Sequence, residues 1–338
     1  MPERTDNYSD NKRISIAVLM STYNGEKYLA EQIDSILAQQ GDFDLHLYIR
    51  DDGSRDGTAN ILRSYKKQDN IHVVFGENAG ITASYFELLK TVLSEGRYQY
   101  FSLSDQDDVW LPDKLACAIR VLESVAAENL KQASDSENGG QFENIPLLYG
   151  CQSWLVDEKL KKTGKTTQRQ YRPLTIRNTA IQNILLGHNQ VFNEAFAREL
   201  GGRILKYEEI FAHDMWITQV ASVKGKIIFE NTPHTLYRQH GSNELGYGSG
   251  PGTVKWFIAR IRRARGGESR QVSRQLAYFL MVYEKELDLS ERNDIRMFLA
   301  SSKSLFKRVK AIARIRLYRQ RPMETVLFKL LYLNGGYR

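Results

Sequence analysis

Three carboxylates and an amide stand side by side at Asp105-Gln106-Asp107-Asp108, directly after the run Tyr98-Gln99-Tyr100-Phe101-Ser102-Leu103. The run alternates aromatic and polar residues and then turns aliphatic, the pattern of a strand entering a buried sheet. Carboxylates crowded at the end of such a strand repel one another, and without a partner at least one is driven to take a proton. A hard divalent cation removes the conflict, because Mg²⁺ and Mn²⁺ prefer oxygen ligands and complete their shells with phosphate oxygens and water. The segment therefore points to chemistry on a phosphorylated substrate. The same aspartates would also suit the N-terminus of the helix expected from Pro112.

Other residues could serve such a site. Thr22-Tyr23-Asn24 ends the first expected strand and offers an aromatic face and an amide edge to a nucleotide base, although Asn24-Gly25 is also an ordinary turn pair. Asp51 and Asp52 end the second strand, where a carboxylate can accept the imide N–H of uracil or thymine. Arg238 offers a fork for diphosphate, and His240 an imidazole that suits Mn²⁺. Asp214 lies near a helix start, where a carboxylate serves as proton acceptor or as cap. No GxGxxG and no GxxxxGK[ST] occurs, which disfavours nicotinamide and P-loop readings.

The elements that must position these groups alternate. Strands are expected at Ile14–Met20, Leu45–Ile49, Ile71–Phe75 and Tyr98–Leu103, and helices at Gly25–Gln40, Ala59–Lys67, Ile81–Leu93 and Pro112–Val125. Such alternation implies a mostly parallel sheet with right-handed crossovers and ligands at the strands' carboxyl ends. Further on, strands are expected at Pro146–Val156, Gly187–Phe192, Lys226–Glu230 and Thr235–Arg238, a helix at Phe211–Val223, and polar loops at Asn129–Asn144 and Lys161–Tyr171.

Motifs at Ser21-Thr22-Tyr23-Asn24-Gly25-Glu26, Asp51-Asp52-Gly53-Ser54 and Ser104-Asp105-Gln106-Asp107-Asp108-Val109-Trp110, in this order and spacing, resemble those of inverting family 2 glycosyltransferases of the GT-A fold. Ala212-His213-Asp214-Met215-Trp216 resembles that family's catalytic-base helix, and Leu236-Tyr237-Arg238-Gln239-His240-Gly241-Ser242-Asn243 a histidine motif of its bacterial rhamnosyltransferase-like branch. The resemblance implies a GT-A α/β domain and a base-reading aspartate in the Asp51/Asp52 pair. It turns Asp105 and Gln106 to the nucleotide-sugar, and makes Asp107 and His240 ligands of Mn²⁺ or Mg²⁺. Asp214 becomes the general base for a single displacement that inverts the anomeric carbon. Asp108, Trp110, His188, His213 and Trp216 are then candidates for the acceptor side.

The 338 residues carry a net charge of +7, unevenly spread. From Lys255 onward there are 20 Lys and Arg against 7 Asp and Glu, whereas the preceding residues are net acidic. We therefore expect a polar tail over 1–12, a catalytic domain over 13–245 and a basic helical region over 253–338. The mixed apolar and basic segments Trp256–Arg263 and Leu305–Arg319 suit an anionic membrane surface or packing on the catalytic domain; nucleic acid would be drawn by the same charge but is disfavoured as partner. A polar start and two unpaired cysteines give a cytoplasmic expectation, peripheral to the inner membrane face. The reading is a metal-dependent transferase moving a sugar, L-rhamnose from a dTDP donor or next a hexose from a UDP donor, to a hydroxyl of a glycan or lipid-linked glycan. Rival readings are a nucleotidyl- or phosphotransferase and a nucleic-acid-binding protein.

Overall fold

The computed structural model describes residues 13–134, 145–241, 267–301 and 304–337. Its first half follows the expected alternation. β1 (Ile14–Thr22) is apolar along nearly its whole length and buried on both faces, the condition of a central parallel strand. It pairs in parallel with β2 (Phe43–Asp51) on one side and β4 (Tyr100–Ser104) on the other, and β3 (Ile71–Phe75) extends the sheet beyond β2. Helices α1 (Leu29–Leu37), α2 (Thr58–Tyr65) and α3 (Ile81–Glu95) make the crossovers. The register sets Thr22 beside Asp51 and Met20 beside Ser104, so three motifs emerge at one sheet edge.

Beyond β4 the sheet becomes mixed. In chain order follow β5 (Val109–Trp110), α4 (Lys114–Ser134), β6 (Leu147–Val156), β7 (Lys162–Thr166), α5 (Ile176–Thr179), β8 (Val191–Asn193), α6 (Glu194–Gly201), α7 (His213–Lys224) and β9 (Lys226–Arg238). The strand order is β3-β2-β1-β4-β8-β6-β9-β5, with β7 paired to β6. Four local expectations change. α4 runs on through Ser134, over the first part of the loop expected from Asn129. The polar stretch after Leu160 contains β7, an exposed hairpin strand rather than a loop. Gly187–Asn189 is a 3₁₀ turn, and only the next residues join the sheet. The two strands expected around Pro233 are one strand, β9, whose register against β6 shifts near that proline, where no N–H is available to the ladder.

Among the described residues, four helices close the chain: α8 (Glu268–Tyr283), α9 (Leu289–Ser301), α10 (Leu305–Ile312) and α11 (Pro322–Leu333). One core layer holds Ile16, Ile33, Leu62, Leu115 and Leu122. The other joins Leu88, Phe101, Phe192 and Trp216 to Leu276, Phe279, Phe298, Phe328 and Tyr332, so the C-terminal helices share it. The basic segment Trp256–Arg263 and the glycine-rich stretch after Gly241 lie outside the described residues.

Both tryptophans expected at the acceptor side belong to the core. Trp216 is fully buried, stacked 5.4 Å from Tyr278 and edge-on to Phe279. Trp110 is buried against α1, with the Lys114 ammonium 3.1 Å from its ring centre. Neither ring is available to stack on a sugar.

Candidate active site

The acidic motif leaves β4 and is braced from behind by His188, which Lys114 holds in turn. His188 Nδ1, in the 3₁₀ turn, lies 3.3 Å from Asp105 Oδ2 and 3.4 Å from Asp108 Oδ2. Its other nitrogen is 2.8 Å from Ser153 Oγ, and Lys114 donates to its carbonyl at 2.6 Å. His188 is 1 % exposed, so it braces two carboxylates rather than lining an open acceptor pocket. His240 Nε2 lies 2.9 Å from Asp107 Oδ2, which brings together the two residues expected to ligate a cation.

Arg238 differs from expectation. Its guanidinium donates to the carbonyls of Asp107 (2.9 Å) and Glu158 (2.6 Å), pairs with Glu31 and lies 4.3 Å from the Tyr28 ring centre. Its backbone N–H donates to Asp108 Oδ1 at 3.1 Å. Buried and committed in this way, it shapes the acidic loop instead of reaching a diphosphate.

The electrostatics record the crowding of the carboxylates. Burial pushes the Asp108 carboxyl up to about 8, against the pull of His188. Burial and then the charge of Asp105 raise Asp107. Burial acts on Asp105 in the same direction, but the hydrogen bond and charge of His188, helped by His213, hold it below the usual carboxylate range. Asp108 Oδ2 is buried with no hydrogen-bond donor, and donor atoms of Asp105, Asp108 and His188 lie within 4.8 Å of one another. Carboxylate and imidazole are ligand types that suit Mn²⁺ or Mg²⁺, and the Asp107–His240 pair offers one of each.

The strand ends expected to meet the nucleotide are cross-linked to one another. Gln106 Oε1 accepts from Thr22 Oγ1 (2.5 Å) and the Tyr23 N–H (2.9 Å), and its amide donates to the Tyr23 carbonyl (3.1 Å). Gly25 lies underneath, where any Cβ would collide with Gln106 Oε1. Asn24 takes φ of 49°, with its backbone N–H donating to Ser54 Oγ and its side-chain Oδ1 accepting from the Arg55 N–H. The Tyr23 ring stands exposed beside this lattice. The Asp51 carboxylate accepts from Ser54, through its hydroxyl (2.5 Å) and N–H (3.2 Å). Asp52 accepts from the N–H groups of Ala79 and Gly80, each at 2.9 Å, and from Arg50, so those amides, which could otherwise meet phosphate, are already taken.

α7 brings the remaining carboxylate to the site. Asp214 Oδ2 accepts from the Gly187 N–H (3.2 Å) and Oδ1 from the Met215 N–H (2.7 Å). Burial raises its proton affinity, opposed by His213 and reinforced by the charge of Asp105. The buried His213 ring stacks 4.5 Å from Tyr85, and its Nε2 has no hydrogen-bond partner. The Tyr85 hydroxyl donates to the Ser104 carbonyl at 2.5 Å and lies 3.4 Å from Asp105 Oδ1. One tyrosine thus joins the acidic motif to α7.

Residues 17–196 match the sequence model of Glycosyl transferase family 2. The chain belongs to this family. It is 40% identical over 236 residues to the dTDP-rhamnosyl transferase RfbG of Shigella flexneri, across 67% of this chain and 73% of that protein. It is 37% identical over 152 residues to the putative teichuronic acid biosynthesis glycosyltransferase TuaG of Bacillus subtilis, across 44% and 58%. The solved structure of S. aureus TarS 1-349 with UDP-GlcNAc aligns over 96% of this chain and 89% of that one, with a TM-score of 0.51 at 13% identity, a likeness of fold. The protein is a GT-A glycosyltransferase, and among its described residues no helix is long and apolar enough to cross a membrane.

Several residues of this family 2 enzyme escape a reading of the sequence. Tyr85 sits mid-helix among apolar residues; Lys114 and Ser153 stand in an expected helix and strand with nothing to single them out. Gly187 carried one signal, its place beside His188. Its absent side chain lets the turn close on the base helix, since a Cβ there would lie 2.8 Å from His213 Nε2 and 3.5 Å from Asp214 Cβ.

Proposed function

We propose that the enzyme transfers L-rhamnose from dTDP-rhamnose, with inversion, to a hydroxyl of a growing lipid-linked surface glycan. A UDP-hexose is the next donor in line. Identity to a dTDP-rhamnosyl transferase supports the donor. The observation that carries the mechanism is the arrangement of Asp214, a carboxylate of raised proton affinity, joined through His213 and Tyr85 to the carboxylates of the acidic motif. Tyr23 stacks on the base, and Asp51 accepts its imide N–H. Support for Asp51 over Asp52 is that Asp52 already serves three donors in the protein. Asp107 and His240 would hold Mn²⁺ or Mg²⁺, which would neutralise charge on the departing diphosphate, with Asp105 turned to the nucleotide-sugar. Asp214 takes the proton from the acceptor hydroxyl as it attacks from the opposite face. Asp108, His188 and Arg238 keep the acidic loop in shape.

A panel of nucleoside diphosphate sugars, scored by nucleoside diphosphate release with Mn²⁺, with Mg²⁺ and with chelator, tests this. The expected result is cation-dependent release of dTDP from dTDP-rhamnose above all other donors, lost in Asp107→Ala. Preference for a UDP-hexose would replace the donor. Full activity in chelator would remove the cation.

A further inference from the structure

Away from the cleft, α10 and α11 carry a surface unlike that of an ordinary solvated helix pair. Six large apolar side chains stand more than half exposed there: Leu305 (59 %), Phe306 (81 %), Val309 (55 %), Met323 (65 %), Val326 (51 %) and Leu330 (57 %). On α11 they recur at three- and four-residue spacing, and on α10 they gather within one turn, so each helix presents one apolar stripe. The helices are packed together, with Arg308 Nε donating to the Leu333 carbonyl at 2.9 Å. A lone exposed leucine needs no explanation, but six such side chains on adjoining helices do.

The charges around them have one sign. From Ser304 to Tyr337 the chain has eight Lys and Arg and a single acidic side chain, Glu324. Glu324 is 3 % exposed and is spent inside the protein, accepting from Gln168 and Gln182. Lys307, Lys310 and Arg314 are exposed. The described surface of this segment therefore shows cations and apolar groups and no acidic side chain.

We infer that α10 and α11 form a docking surface for an anionic lipid bilayer. An acyl boundary takes up the apolar stripes while lipid headgroups meet the cations, so the bilayer satisfies both features at once. A nucleic acid would leave the apolar side chains against phosphate. A second copy of the chain would bring like charges face to face. The surface is also firmly tied to the catalytic half. The Gln320 N–H donates to Gln182 Oε1 at 2.7 Å, its amide donates to Asn178 Oδ1 at 2.8 Å, and the segment after Gln182 runs to Gly187, whose N–H meets Asp214. Docking would hold the base end of the cleft at a set height above the bilayer. The inference concerns where the enzyme works and stands whichever donor it uses.

Co-sedimentation of the full chain with vesicles of phosphatidylcholine, alone or mixed with phosphatidylglycerol, tests it. The parent should bind the mixed vesicles and leave the neutral ones. Lys307→Gln with Lys310→Gln should weaken binding about thirtyfold at low salt. Phe306→Ser with Val309→Ser should weaken it at least about tenfold, and still do so at high salt. All these exposed-site variants should release nucleoside diphosphate at the parental rate, which separates loss of docking from loss of the reaction. Parental failure to bind anionic vesicles, or parental binding in either double variant, would overturn the inference. So would light scattering that shows a dimer dissolved by Phe306→Ser.

Discussion

Asp214 holds two roles that a sequence cannot separate, helix cap and proton acceptor, and its environment argues for the second. A cap gains nothing from a raised proton affinity, whereas a base operating near neutral pH does. Because burial raises this carboxyl, its ionised form is lost at a higher pH than for an ordinary aspartate. The acid limb of kcat/KM against pH should therefore lie above the usual carboxylate range. Asp214→Asn should keep donor affinity, lose about 10²- to 10⁴-fold in turnover and erase that limb; an unchanged profile would end the assignment. Asp108 gives a prediction of opposite character. Its folded carboxyl titrates at about 8, against about 3.9 in an unfolded chain. Between those values the folded state holds a proton that the unfolded state has released. The stability this group contributes is thus present below about 4 and lost as the pH rises through about 8. Asp108→Asn should flatten the fall in Tm over that interval and melt above the parent at its upper end, measured without added cation. Arg238 was legible only as a group suited to diphosphate, and His188 only as a candidate for the acceptor side. What commits them, Glu31, Glu158, Ser153 and Asp105, is distant in sequence, and no spacing rule reveals it.

The legible elements were those with a long period. β1 to β4 and their helices follow from apolar runs and 3.6-residue stripes, and their register delivers Thr22, Asp51 and the acidic motif to one edge. The elements that curl the sheet are short, polar or interrupted. β8 has three residues, β7 is exposed along its length, and β9 is broken in sequence, though not in space, by Pro233. The 3₁₀ turn before β8 is the hinge of the site, because it supplies both His188 to the acidic motif and the Gly187 N–H to Asp214. Gly187→Ala tests its closeness. The added Cβ meets His213 Nε2 at 2.8 Å, and that ring is held against Tyr85 and cannot retreat freely. The turn or the base helix must shift, and a misplacement of this order costs about 10²-fold in rate. Turnover should fall by about that factor while the circular dichroism spectrum stays parental; a fully active variant would show that the turn does not set the base.

At the scale of the whole molecule, the change of charge near Lys255 describes the surface, whereas the core runs through it. Leu276, Phe279, Tyr283, Phe298, Phe328 and Tyr332 are each at most 2 % exposed, and they pack in one layer with α3, α7 and the sheet. Burying a side chain of this kind is worth about 1.5–3 kcal/mol. Six of them contribute roughly 9–18 kcal/mol gross, as much as the net stability of a typical domain, about 5–15 kcal/mol. Stripping away α8 to α11 would also bare Trp216, which stacks on Tyr278 of α8 from within the base helix. The link is polar as well as apolar. Gln275, wholly buried on α8, accepts from the Ala212 N–H at 2.9 Å, immediately before His213 and Asp214, and its amide donates to Gln219 on α7 at 3.1 Å. A chain ending at Gly241 should therefore lack a cooperative melting transition and donor binding. A subtler cut is Gln275→Leu, which keeps the bulk but leaves the Ala212 N–H and the Gln219 amide buried without that partner, at about 1–3 kcal/mol. We expect a lower Tm and a fall in turnover with little change in the KM for donor, since the strand ends proposed to hold the nucleotide lie on other elements. A truncated chain that melts cooperatively and binds donor, or a Gln275→Leu enzyme with parental turnover, would mean that the C-terminal helices are a separable appendage and that α7 needs no support from them.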